Sequence, residues 1–232
     1  RGKAGSEGAV MRRREGGRME TPEVIGMSIF GLLCLGALVL GLYQAAQKTK
    51  RVANHAALHG WSVSKRGDAR LSALLEEVSP EANWYPRDAM QVERPPESLY
   101  LFGYTARPKR GRSSDSTGNA CLAEHAGRVH QGPVEISTRV PGLDRLVGDR
   151  VKAGSEKFRE EFTVTCKRPE EALKLVNAEV ERILLEHAAG PMWNLSVEIG
   201  GRGVLVSSHW AETEQEWDYL IALARRLRAA VR

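Results

Sequence analysis

Cysteine is scarce. The chain has three in 232 residues, and one of them, Cys34, falls inside an apolar run. Cys121 and Cys166 are far apart, so no disulfide framework is expected, and both read as small buried thiols in a reducing compartment. Aromatic residues are thin at 6%, and no basic stripe is interleaved with them. That argues against a nucleic-acid surface, although the net charge is +5 and the pI about 9.2. The excess lies instead in separate groups: Arg12, Arg13, Arg14 and Arg18 in the tail, Lys48, Lys50 and Arg51 after the apolar run, and Arg225, Arg226, Arg228 and Arg232 at the end. The familiar catalytic loops are missing as well. There is no G-x-S-x-G, H-E-x-x-H, Walker or dinucleotide-binding sequence.

Charge is absent from one long stretch. Val24 to Tyr43 reads VIGMSIFGLLCLGALVLGLY without a charged residue. About 20 such residues, rising 1.5 Å each, cross the ~30 Å hydrocarbon core of a bilayer. The run is longer than the h-region of a signal peptide, and Tyr43-Gln44-Ala45-Ala46-Gln47 is a poor cleavage site. A lipid anchor at Cys34 needs small residues before it, and Leu32-Leu33 are not small. The reading is therefore an uncleaved transmembrane helix over 22–46, with Tyr43 at the headgroup layer. Residues 1–21 read as a disordered tail, or as sequence ahead of a start at Met19. With that start, Lys48, Lys50 and Arg51 put the positive side C-terminal, so the domain that follows is expected to be cytoplasmic and the protein a single-pass component of the cell membrane. If Arg1–Arg18 belong to the chain, their arginines compete for that side. Ala37, Gly41 and Ala45 recur every fourth residue, a small-residue face through which two spans can form a weak dimer.

Residues 47–232 suit one soluble domain. A helix runs on to Leu58 and Gly60 stops it. Trp61–Ser64 is strand-like, and Asp68 caps a helix that buries Leu71, Leu74, Leu75 and Val78. Pro80–Glu97 reads as a long surface connection. Ser98–Ala106 is a strand with apolar groups on both faces, as in the middle of a sheet. Asn119–Glu124 and Val134–Arg139 are further strands. In the last third, Glu160–Cys166 is strand-like and Pro169 opens a helix with Glu170 and Glu171 in its first turn. Trp193–Ile199 alternates, Gly200-Gly201 turns, and Val204–Val206 returns. Thr213–Glu216 is a capping box ahead of a final helix. The expected fold class is α+β: a mostly antiparallel sheet with helices on one face, ending β-α-β-β-α.

Several of these features carry a resemblance. They are Gly60-Trp61 after the span, Phe102-Gly103-Tyr104, Val140-Pro141-Gly142-Leu143, Phe158-x-x-x-Phe162-x-Val164 and Glu198-Ile199-Gly200-Gly201. Together the chain resembles a family of bacterial, commonly actinobacterial, single-pass membrane proteins with a C-terminal soluble α+β domain and no assigned reaction. The resemblance implies the architecture and no mechanism.

Candidate site residues are few. His55 and His59 have the i, i+4 spacing of a metal pair but no intervening glutamate, and two solvated histidines is the simpler reading. Cys121, His125 and His130 form a C-x3-H-x4-H string that lacks a fourth ligand. Residues 108–116 are a basic, serine-rich loop without P-loop spacing, and Gly200–Gly203 lies in a hairpin rather than before a helix. The expectation is no catalytic residue, no cofactor and no metal. The function expected is a binding or scaffold module, with the lipid bilayer and a membrane or cytoplasmic protein as partners and no nucleic acid. The alternatives are an enzyme with a scattered site, or an electrostatic binder of membranes or nucleic acid through 108–116.

Overall fold

A computed structural model of the chain describes residues 21–109, 114–127, 130–139, 150–188, 194–209 and 211–231. The chain divides into two compact units, 1–48 and 49–232.

The first unit contains most of helix α1 (Thr21–His59). The stretch from Ile29 onward is long and apolar enough to cross a membrane, with a mean hydropathy of 2.0 in its most apolar window and none of that window buried. Phe30, Leu32, Leu33, Leu38 and Leu42 are all exposed. A helix apolar on every side has no single inward face, as in a buried core helix or a membrane span.

The second unit is built on one sheet of nine strands, every pairing antiparallel, in the order β1-β2-β3-β4-β9-β8-β5-β7-β6. In chain order its elements are β1 (Ser62–Ser64), α2 (Ala69–Val78), β2 (Ala82–Glu93), β3 (Leu99–Pro108), β4 (Ser116–Glu124), β5 (His130–Thr138), β6 (Arg150–Val151), α3 (Glu156–Glu161), β7 (Phe162–Thr165), α4 (Pro169–Leu175), α5 (Ala178–Ala188), β8 (Leu195–Gly201), β9 (Gly203–Ser208) and α6 (Glu214–Ala230). The α+β class and the antiparallel sheet agree with the sequence reading.

Alternation along the central strands divides the apolar residues between two layers. Leu99, Leu101, Cys121, Val197, Ile199, Val204 and Val206 face one way, under α3–α6 and residues 49–59 of α1. Tyr100, Phe102, Tyr104, Leu122 and Leu205 face the other way, under α2. The C-terminal helices do share one face, as the stripes Leu175–Ile183 and Trp217–Ala224 require. The α2 helix departs from that arrangement and covers the opposite face. It can do so because β3 is apolar on both sides and leaves a second face in need of cover.

Four other expectations change. Pro80–Glu97 is not a surface connection. Most of it is the twelve-residue strand β2, in which Pro86 lies opposite Tyr104 and the register shifts between Arg87 and Met90. Asp88 takes a φ of +50° in that bulge, a conformation that short polar side chains tolerate. Glu160 and Glu161 are helical, because Ser155 caps α3 by accepting from the Phe158 amide, and the strand starts only at Phe162. The helix opened by Pro169 is two helices, broken at Asn177, whose side chain accepts from the amides of Glu179 and Val180 and so starts α5. Finally, the hairpin turn is Gly201-Arg202, one residue later than expected, since Gly200 pairs with Gly203. Gly201 has φ +51°, and a Cβ there would come within 2.9 Å of the Glu77 side chain. A glycine at the first position of a two-residue turn meets both demands. The string Val140–Leu143 and the segment Gly190–Trp193 lie outside the described residues.

Candidate functional site

Helix α1 ends where Gly60 adopts φ +68°, the left-handed conformation of a helix C-terminus. In its last turns Val52, His55 and Ala56 recur at helical spacing and are buried in the core of the second unit. They meet the start of α6. That helix begins under a complete capping box: the Thr213 side chain accepts from the Glu216 amide, and the Glu216 carboxylate accepts from the Thr213 amide. Glu214 and Asp218, four apart, share the flank of α6 that meets His55.

The result is a cluster that neither helix could build alone. His55 is 3% exposed. Its Nε2 lies 3.2 Å from Asp218 Oδ1 and its Nδ1 lies 3.7 Å from Glu214 Oε2. Nε2 is nonetheless a buried atom without a hydrogen bond: the Asp218 oxygen is close enough for an ion pair but misaligned for a hydrogen bond. The His59 ring lies 4.7 Å from that of His55. Trp61 stacks on His59 at 4.4 Å, and Trp61 and Trp217 stand edge-on to His55 at 5.4 and 5.6 Å. His55, His59 and Asp218 each offer one ligating atom, and these atoms all lie within 4.8 Å of one another. The expectation of two solvated histidines is thus corrected for His55. Spacing along the helix gives no sign that its end packs into the core of the domain.

The other candidate string is not gathered. Cys121 lies on β4 opposite Val206, while His130 lies on β5 opposite Gly201, and β9 and β8 run between those strands. The Cys121 side chain points into the core, where burial pushes its thiol up, the opposite of what a thiolate ligand needs. His125 is buried and its amide donates to the Arg202 carbonyl. In the basic loop, residues 110–113 lie outside the described residues. On its flanks Lys109 pairs with Glu76, and Arg107 with Asp115. At the C-terminus Arg225 and Arg228 both hold Glu93, and Arg226 holds Glu186. Five of these basic side chains are therefore ion-paired within the domain.

Two polar groupings were not foreseen. On the α2 face, Glu198 of β8 lies directly opposite Glu135 of β5. Burial pushes the Glu198 carboxyl up to about 7, with Glu135 adding to the shift and a hydrogen bond from Ser79 opposing it. In α5, His187 Nδ1 lies 2.5 Å from the Tyr219 hydroxyl, and burial lowers the imidazole to about 4. A neutral ring there shares a hydrogen bond with the tyrosine hydroxyl, its tautomer setting which of the two donates. Alternation placed Glu198 outside the α6 core, correctly, but could not tell that α2 would cover its side of the sheet. His187 and Tyr219 lie on two helices, and no spacing rule links them.

A cavity of about 220 Å³ lies between α2 and β2, lined by Ser72, Leu75, Glu76, Asn83, Trp84 and Tyr85. It is smaller than the usual cofactor site. Its lining holds neither a histidine nor a cysteine to pair with Ser72 in nucleophilic catalysis.

No family model matches the chain, and no curated protein matches it. Among solved structures, the fold is similar to that of the mycobacterial trehalose monomycolate transport factor A, TtfA, with a TM-score of 0.55 at 11% identity, over 80% of this chain and 94% of that one. At that identity the likeness is one of fold.

Proposed function

We propose that the protein is a membrane-anchored accessory protein, with α1 in the bilayer and the α+β domain on the cytoplasmic side, and that it acts by binding a protein partner rather than by catalysis. One observation carries the reading: the helix with the exposed apolar run is the same helix whose last turns, at Val52 and Ala56, are core of the domain. The domain begins within the helix that carries the apolar run, so anchoring that run anchors the domain. Lys48, Lys50 and Arg51 favour the cytoplasmic side. The polar groupings among the described residues lack the nucleophile–base–cleft combination of an enzyme. Likeness of fold to a transport factor makes a membrane-transport assembly the first place to look for the partner. It also fits the resemblance to actinobacterial single-pass proteins.

The test is crosslinking in native membranes followed by detergent pull-down of the full chain. Recovery of a membrane protein partner, lost when α1 is replaced by a soluble helix, is the expected result. Full-length protein in the soluble fraction after carbonate extraction would overturn the anchoring. A phosphatase reporter fused after Arg232 should be inactive; strong activity would reverse the orientation.

A further inference from the structure

We propose that His55, His59 and Asp218 form a binding site for a divalent late first-row transition-metal ion such as Zn²⁺, which clasps the end of α1 to α6. Three features point to a metal rather than to a simple ion pair. The first is the donor set. Two imidazoles at i, i+4 on one helix and a carboxylate from a second helix are the nitrogen and oxygen ligands that suit zinc, nickel or copper and not calcium or magnesium.

The second is the buried Nε2 of His55, which faces Asp218 at 3.2 Å and makes no hydrogen bond. A buried polar nitrogen without a partner is costly, and an ion between it and the carboxylate would satisfy both. The third is the surround. Ligand atoms of a tetrahedral zinc stand about 3.3 Å apart, given bonds near 2 Å. The cluster's ligating atoms are already within 4.8 Å of one another, so small side-chain rotations of the exposed His59 and Asp218 would close it. Trp61 and Trp217 wall the site on the domain side, while His59 and Asp218 keep it open to solvent. Glu214, 3.7 Å from His55 Nδ1, is beyond hydrogen-bonding distance as it stands, and a small rotation would let it accept from that nitrogen and orient the ring, as the outer partner of a metal-bound histidine does. The fourth coordination position falls to water.

The experiment uses the full chain, purified in detergent without a histidine tag and stripped with chelator. Zn²⁺ and Co²⁺ are titrated into wild type, His59→Ala, Asp218→Asn and, as a control at a histidine outside the cluster, His209→Ala. His59 and Asp218 are exposed, so neither variant should disturb the core, and circular dichroism would check this. Wild type and His209→Ala should bind one equivalent, with the visible absorption of tetrahedral Co²⁺ and a raised melting temperature in Zn²⁺. His59→Ala and Asp218→Asn should weaken binding by at least about 100-fold, the upper end of what loss of even an outer-shell partner costs, and lose the thermal shift. Failure of wild type to bind a stoichiometric ion would overturn the proposal. So would binding by either ligand variant as tight as that of wild type.

Discussion

The two faces of the sheet are held by different forces. Under α3–α6, contact is almost wholly apolar: Val197, Ile199, Val206, Ile183, Leu184 and Leu220 are each at most 1% exposed. Under α2 the apolar layer is smaller and polar clamps ring it. Arg70 of α2 grips the buried Glu124 through both carboxylate oxygens, at 2.7–3.0 Å. Glu124 also accepts from the Ser98 amide. Asp68 accepts from the Leu71 amide and from the Tyr100 hydroxyl, and Glu198 sits opposite Glu135. Several helices can fill one face with side chains alone. A single ten-residue helix cannot, so polar groups at its margins end up partly buried and must find partners. On the first face the buried His187, held down to about 4, should cost stability as the pH falls below its ordinary value of about 6.5, whereas on the second Glu198, pushed up to about 7, should cost stability as the pH rises.

The largest expected effect would break the apolar face. Val197→Asp places a carboxylate where Val197 is wholly buried, losing the burial of the valine and burying an unpaired charge, a cost on the order of 5 kcal/mol. Failure to obtain folded protein, or loss of the cooperative melt, is the outcome to look for. On the other face, Arg70→Ala leaves Glu124 buried and unpaired. Since Arg70 is partly in solvent, the cost should be nearer the lower end for a broken buried pair, about 3 kcal/mol, read from denaturant melts in detergent.

Glu198 sharpens the comparison by sign. Its folded carboxyl titrates near 7, above the ordinary value of about 4.3. Between those two values the folded state holds a proton that the unfolded chain has released, so stability falls as pH rises through this window and levels off above it. Glu198→Gln should remove that slope and stabilise the protein at pH 8 by roughly 1–3 kcal/mol. An unchanged pH profile would mean that the α2 face opens to water at this point. The smallest effect belongs to a helix end on the apolar side. Thr213→Ala removes one member of the capping box of α6 and should cost about 1 kcal/mol at every pH from 5 to 8, with no change in slope.

The same contrast governs how much could be read in advance. Where structure follows from neighbours along the chain, much of the sequence reading holds, although the local caps at Ser155 and Asn177 escaped it. The Asp68 cap, the Leu71–Val78 stripe, Pro169 at a helix start, the alternation through Val197 and the Thr213–Glu216 capping box are each set by side chains within a few residues of one another. Local signals also indicate the wholly apolar stretch of α1, because a helix without an inward face needs no partner to be recognised. They falter where two regularities compete. In β2, Pro86 and Asp88 look like loop residues, yet the strand tolerates both by bulging near an edge of the sheet.

Two decisions belong to the tertiary structure alone. The β-α-β-β-α run of the last third leaves strand order open, and in the sheet β5 enters between β7 and β8. Hydrophobic alternation is the same for any neighbour, so it does not specify which strands pair. The candidate metal cluster is the second case. The His55–His59 spacing is visible in the sequence and by itself means little. Asp218 is brought to it only because two amphipathic helices, far apart in the chain, bury their stripes against the same face of one sheet. Burial of His55 followed from that packing, and no property of its own neighbours required it.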